Sequence, residues 1–140
     1  MTDEYRALAE FRYQIRKFLH FSEEAARECG LEPQHHQLLL AIKGLPEGRK
    51  ATIREIAERL QLQHHSTVEL INRLSERGAV ERHRSEEDRR EVLIRLTRLG
   101  ESLLRKLSIA HQQELENAGP DLSKSLSAIM RANRRKRSAA

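Results

Sequence analysis

The chain has 140 residues, with 26 Lys and Arg against 21 Asp and Glu, a formal net charge of +5, 38% hydrophobic residues and 34% charged residues. That length suits one domain, or one domain plus helices that need a partner to cover them. Mean hydropathy is −0.72, no apolar run approaches the ~18–20 residues of a membrane span, no basic segment leads into an apolar core at the N-terminus, and Cys29 is the single cysteine; a transmembrane protein, a disulfide scaffold and a zinc ribbon are thereby excluded, and a reducing cytoplasm is the expected setting.

Leu8, Phe11, Ile15, Phe18, Ala25 and Cys29 recur every three or four residues with charges between them. They predict one long amphipathic helix over about 3–29, ended by Gly30. The stripe follows a seven-residue repeat, as in helices packed lengthwise. Such a helix of ~26 residues spans ~39 Å, more than a small domain covers, so a partner chain is the expected cover. Pro33 suits the first position of a second helix with Leu38, Leu39, Ile42 and Leu45 inward, and Gly44, Pro46 and Gly48 break it. Thr52 and Glu55 form a capping box for a short third helix, 52–60, with Ile53, Ile56, Ala57 and Leu60 inward. Gln61-Leu62-Gln63 is a tight turn, and a fourth helix follows over 64–77 with Val68, Ile71 and Leu74 inward and Gly78 as its stop.

The period then changes. Val80, Arg82 and Arg84 alternate with Glu81 and His83, and Val92, Ile94 and Leu96 alternate with Leu93 and Arg95. Two short strands around a polar tip, residues 85–90, fit this pattern. Thr97 can cap a fifth helix carrying Leu103, Leu104, Leu107 and Leu115, which Gly119-Pro120 is expected to end; Leu122, Leu126, Ile129 and Met130 mark a sixth. Arg131, Arg134, Arg135, Lys136 and Arg137 close the chain without an acid, leaving 21 cations against 21 acids over residues 1–130. Bulk charge is thus a property of the tail, and any nucleic-acid argument must rest on local clusters.

Helix, tight turn, helix and hairpin, in that order, make a winged helix-turn-helix. A helix fits the ~12 Å major groove, the helix before it braces against the backbone, and the hairpin reaches the next minor groove. With 64–77 as the reader, His65, Ser66, Glu69, Asn72 and Arg73 point outward. Ser66, Asn72 and Arg73 suit base or phosphate contact, and Glu69 can accept from cytosine N4. His64 and Thr67 complete the reader set, with His64 and His65 contacting DNA or capping the helix. The hairpin adds Arg84, Asp88, Arg89 and Arg90.

In order, Leu31-Glu32-Pro33-Gln34, the run from Thr52 to Leu60, Ser66-Thr67-Val68 with Asn72 through Val80, and above all Asp88-Arg89-Arg90 followed by Leu96-Thr97-Arg98-Leu99-Gly100 resemble the MarR family of bacterial transcription regulators. The wing motif, an Asp-x-Arg followed by Leu-Thr-x-x-Gly, is the most specific part. The resemblance covers about residues 31–115 by motif, and flanking helices extend it to nearly the whole chain. It implies a mainly α fold: a winged helix-turn-helix core of three helices plus a two- to three-stranded wing sheet over 31–97, an N-terminal dimerisation helix over 1–30, C-terminal dimerisation helices over 98–133, and a flexible basic tail over 134–140. It implies an obligate homodimer that sets two reader helices on a pseudo-palindromic operator, with half-sites ~34–36 Å apart. It places Arg90 in the minor groove with Asp88 holding it and Arg89 or Arg84 on phosphate. It also implies a repressor released by a small, often phenolic, anion, with Phe11, Ile15, Phe18 and Leu19 as candidate pocket residues. Gln63 stands where a hydroxyl residue often caps the family's reader helix, and Glu32 where a Thr cap is frequent.

No cofactor is expected. The pairs His35/His36 and His64/His65 are adjacent, and helix neighbours diverge by about 100°, so neither pair chelates as an i, i+4 pair does. Cys29 falls on the apolar stripe and reads as a buried small residue rather than a redox switch. No Gly-rich phosphate loop, Gly-x-Ser-x-Gly elbow, Cys-x-x-Cys or His-Glu-x-x-His occurs, so the expectation is a binding protein and not an enzyme. The rivals are a winged helix used for protein or RNA contact, and a metal- or redox-responsive regulator.

Overall fold

In a computed structural model describing residues 1–139, the chain forms α1 (Thr2–Glu28), α2 (Pro33–Lys43), α3 (Ile53–Leu60), α4 (His64–Glu76), β1 (Val80–Arg84), β2 (Val92–Leu96) and α5 (Arg98–Ala139). These divide into two compact units: a lobe, residues 26–108, and a helical unit made of residues 1–25 with 109 onward. The lobe therefore takes in the first residues of α5 as well as the whole winged helix, a wider span than 31–97.

The lobe closes around its own core. Leu38 and Leu39 of α2, Ile56 of α3, Ile71 and Leu74 of α4, Val80 and Ile94 of the hairpin and Leu107 of α5 are all at most 2% exposed. The Thr52 hydroxyl accepts from the Glu55 N–H at 3.1 Å and caps α3. Gln61 turns the chain in the left-handed region, φ 54° and ψ 44°, where a non-glycine residue is strained; its side-chain amide donates to the Glu58 carbonyl at 2.8 Å. On α4 the buried stripe is Thr67, Leu70, Ile71 and Leu74, with Val68 half-buried at its edge. That is one i, i+3, i+4, i+7 row, rotated slightly from the expected Val68, Ile71, Leu74 face.

The hairpin pairs antiparallel from Val80↔Leu96 to Arg84↔Val92. Glu81 faces Arg95, and Arg95 Nε donates to its carboxylate at 2.6 Å, the opposite-charge pairing that supports a register. A bridge between Thr52 and Leu93 adds a short third edge. Thr97 joins the hairpin to α5: its hydroxyl donates to the Gly78 carbonyl at 2.5 Å and accepts from the Gly100 N–H at 3.2 Å. Gly100 lies so close to the Ala79 carbonyl that a Cβ there would overlap it. His35, in the first turn of α2, is buried. Its Nδ1 accepts from the Glu32 N–H at 3.4 Å. Burial lowers its pKa below the usual histidine value; nearby Glu32 opposes this, and Arg77 and Arg73 add to it.

The expected break at Gly119-Pro120 does not occur: α5 runs through Pro120 as one helix. The ring forfeits one N–H bond, Pro120 is exposed, and Gly119 before it carries no Cβ for the ring to strike. The basic residues 134–137 continue the same helix. Within the helical unit, Phe11, Ile15 and Phe18 are half-buried and Leu19 is exposed. His111 lies edge-on to Phe18 and Phe21, with centroids 5.9 and 5.4 Å away, and 2.8 Å from the Ser22 hydroxyl.

Candidate nucleic-acid interface

The lobe presents one face of α4 to solvent. His64, His65, Glu69, Asn72 and Arg73 are exposed there, and Ser66 is half-buried. Thr67 is not on this face: it is fully buried, and its hydroxyl donates to the Gln63 carbonyl at 3.0 Å. It holds the first turn of the helix and cannot reach a groove. Gln63 precedes that turn without a side-chain cap, and no acid lies in it. The first-turn N–H groups thus keep their positive end of the helix dipole for an anion such as a phosphate.

Arg82 on β1 reaches across to this face and donates to Asn72 Oδ1 at 2.5 Å. Because Arg only donates, the Asn72 oxygen must face Arg82, which leaves the amide N–H₂ as the group turned away. Arg82 was not among the expected site residues. The signal was present in its alternation with Arg84 on one strand, but the partner helix could not be read from the strand alone.

The wing tip is built from its own backbone. The Ser85 N–H donates to the Glu91 carbonyl at 3.0 Å, and the Glu91 N–H to the Asp88 carbonyl at 2.9 Å. Asp88 Oδ1 accepts from the Arg90 N–H at 3.0 Å and from Arg90 Nε at 3.4 Å, so the aspartate sets the direction of that arginine. The Arg90 side chain itself is 93% exposed. Arg84, itself exposed, donates to the Arg89 carbonyl at 2.8 Å.

Acids at the tip do not simply cancel these charges. Lys50, in the segment before α3, lies 2.9 Å from Glu87 and 3.3 Å from Glu91. Hydrogen bonds to both raise the Lys50 pKa, and the Lys50 bond lowers that of Glu87. Glu87 and Glu91 are engaged by Lys50 and Asp88 by Arg90, which leaves Glu86 and Arg89 as the tip charges without a described ion-pair partner. No sequence signal linked Lys50 to the wing; the pairing exists only through the fold.

The described residues hold no group of three or more His, Cys, Asp or Glu side chains arranged to bind a metal, and no helix among them is long and apolar enough to cross a membrane. Cys29 is a free, half-buried thiol.

This arrangement of brace, reader and hairpin is a winged helix-turn-helix. Residues 30–91 match the model of the MarR family. The chain is 38% identical over 74 residues to the organic hydroperoxide resistance transcriptional regulator of Bacillus subtilis (strain 168), a match covering 53% of this chain and 48% of that protein, so it spans about half of the relative's length. Among solved structures, the S. aureus MepR–DNA complex superposes with a TM-score of 0.67 at 18% identity, covering 92% of this chain and 93% of the other. CouR from Rhodococcus jostii RHA1 bound to p-coumaroyl-CoA does so at 0.66 and 24% identity, covering 84% and 80%. These two likenesses establish a shared fold.

Proposed function

We propose that the protein is a sequence-specific double-stranded DNA-binding transcription regulator that acts in the cytoplasm as a homodimer on a pseudo-palindromic operator, most simply as a repressor. The observation that carries this reading is the exposed α4 face next to a wing tip whose Arg90 is held by Asp88 and points to solvent. Lys and Arg contacts to phosphate supply affinity, and α4 side chains facing base edges supply sequence preference. MepR has been captured on DNA in this fold. A second copy would cover the apolar residues that the helical unit leaves in water, such as Tyr13, Ile109 and Met130, each about half exposed or more. Release by a small aromatic anion remains part of the proposal, supported by the p-coumaroyl-CoA held by CouR and by the half-buried Phe11, Ile15 and Phe18, with Leu19 at the margin.

Selection of bound sites from random duplexes should return a two-fold-related sequence. Arg73→Ala should cost ~1–3 kcal/mol on the selected site if Arg73 reads a base. Arg90→Ala should flatten the slope of log K against log salt by roughly one unit. A chain that enriches no duplex, with affinities indifferent to both substitutions, would end this reading and favour a winged helix that binds protein.

A further inference from the structure

The positive charge of the chain sits where the winged helix does not use it. From residue 122 onward there are six cations, Lys124, Arg131, Arg134, Arg135, Lys136 and Arg137, and no acid. The remaining 20 cations of the chain are outnumbered by its 21 acids. The last five of these cations lie on the final turns of α5.

The helix sorts those five by direction. Lys136 reaches α1, where its Nζ is 3.3 Å from the Glu4 carboxylate. Ile129, Ala132 and Lys136 line a cavity of about 200 Å³ together with Ala7 and Leu8 of α1, so this is the side of α5 that faces α1. At about 100° per residue, Arg131, Arg134, Arg135 and Arg137 fall within an arc of about 160° centred opposite Lys136. All four are exposed, and none has an acidic partner among the described residues. Repulsion among four guanidinium groups within two turns disfavours the helix, and the helix dipole offsets only part of it. A polyanion laid along the arc would neutralise all four at once.

We propose that this arginine arc is a second, sequence-independent contact for duplex DNA phosphates, separate from the α4 and wing face. The choice of duplex DNA as the polyanion rests on the regulator reading above; the charged surface does not. Duplex DNA carries one charge per ~1.7 Å of axis, a density that can engage several guanidinium groups of one arc. Arginine also grips phosphate bidentately where lysine offers a point charge, and four of the five terminal cations are arginine.

The test uses the full chain with all four arginines changed to Gln, which keeps helix propensity, and a second variant with all four changed to Lys. Binding to a random-sequence duplex and to the selected site is followed by anisotropy across a salt series. The Gln variant should flatten the slope of log K against log salt by roughly two to four units per protomer, weaken both duplexes by a similar factor, and leave the ratio between them unchanged. The Lys variant should restore most of the slope, which separates lost charge from a misfolded helix. An unchanged slope in the Gln variant overturns the inference, even where Arg73→Ala and Arg90→Ala still impair the selected site. Conversely, loss of random-duplex binding in the Gln variant sustains it even if no selected site exists and the regulator reading has failed. Binding of the wild-type chain to phosphatidylserine vesicles, abolished in the Gln variant while duplex binding is intact, would reassign the arc to a membrane surface and overturn it.

Discussion

The two units solve the burial problem differently. Every buried Leu, Ile and Val of the described chain lies in the lobe, whereas the buried residues of the helical unit are Gln14, Ser22, Ala25 and Ser125. The helical unit instead leaves Tyr5, Leu8, Tyr13, Leu19, Ile109, Leu115, Leu126 and Met130 more than 40% exposed. The lobe is therefore a domain that can close a core by itself, while the helical unit has the makings of half a core. On the proposed reading, the lobe holds α4 rigid by itself, and the spacing of two such helices would be set by apolar surface that a second chain completes.

The sharpest way to break this contrast is to charge the exposed stripe. Leu8→Asp together with Leu126→Asp should convert a dimer to a monomer in sedimentation and abolish binding to the two-fold site, yet leave the lobe folded. Unchanged mass would mean that the stripe is not a shared core. Next in size, Leu74→Ala should destabilise the lobe by ~2–5 kcal/mol, since it opens a cavity in a core that is already closed; urea unfolding measures this. Removing the α3 cap with Thr52→Ala should cost ~1 kcal/mol and shift the same transition slightly.

The smallest effect concerns pH. His35 is held neutral by burial, so its folded pKa lies below its unfolded value near 6.5. Its contribution to stability is complete above that value and is lost as pH falls through the folded pKa, because the unfolded chain takes up the proton more readily. Lobe stability should decline on acidification below about 6.5, and His35→Gln should flatten that decline. An equal slope in the variant would place the pH dependence on other groups.

Much of the lobe was legible because its signals are local. Thr52 with Glu55, the alternation about Val80 and Ile94, and the Thr97-to-Gly100 spacing each name an element within a few residues, and the wing motif likewise pointed to Asp88 beside Arg90. What escaped the sequence depends on neighbours in space. Thr67 looks like a polar reader residue, but the buried row of α4 passes through it. Arg82 and Lys50 acquire roles only once β1 meets α4 and the segment before α3 meets the hairpin. Pro120 misleads for another reason: a proline penalty in a helix is a few kcal/mol, and a helix of 42 residues with an exposed ring can absorb it. Beyond Arg131 the helix continues through a run of cations, and no local helix-stop or helix-cap signal in that run announces it.

The contact between Gly100 and the Ala79 carbonyl bears on how such chains diverge. That glycine is demanded by steric closure of the scaffold, whatever α4 binds. Its retention in distant descendants would record shared architecture alone; on the proposed reading, the exposed residues of α4 and the wing are where a change of target would be written.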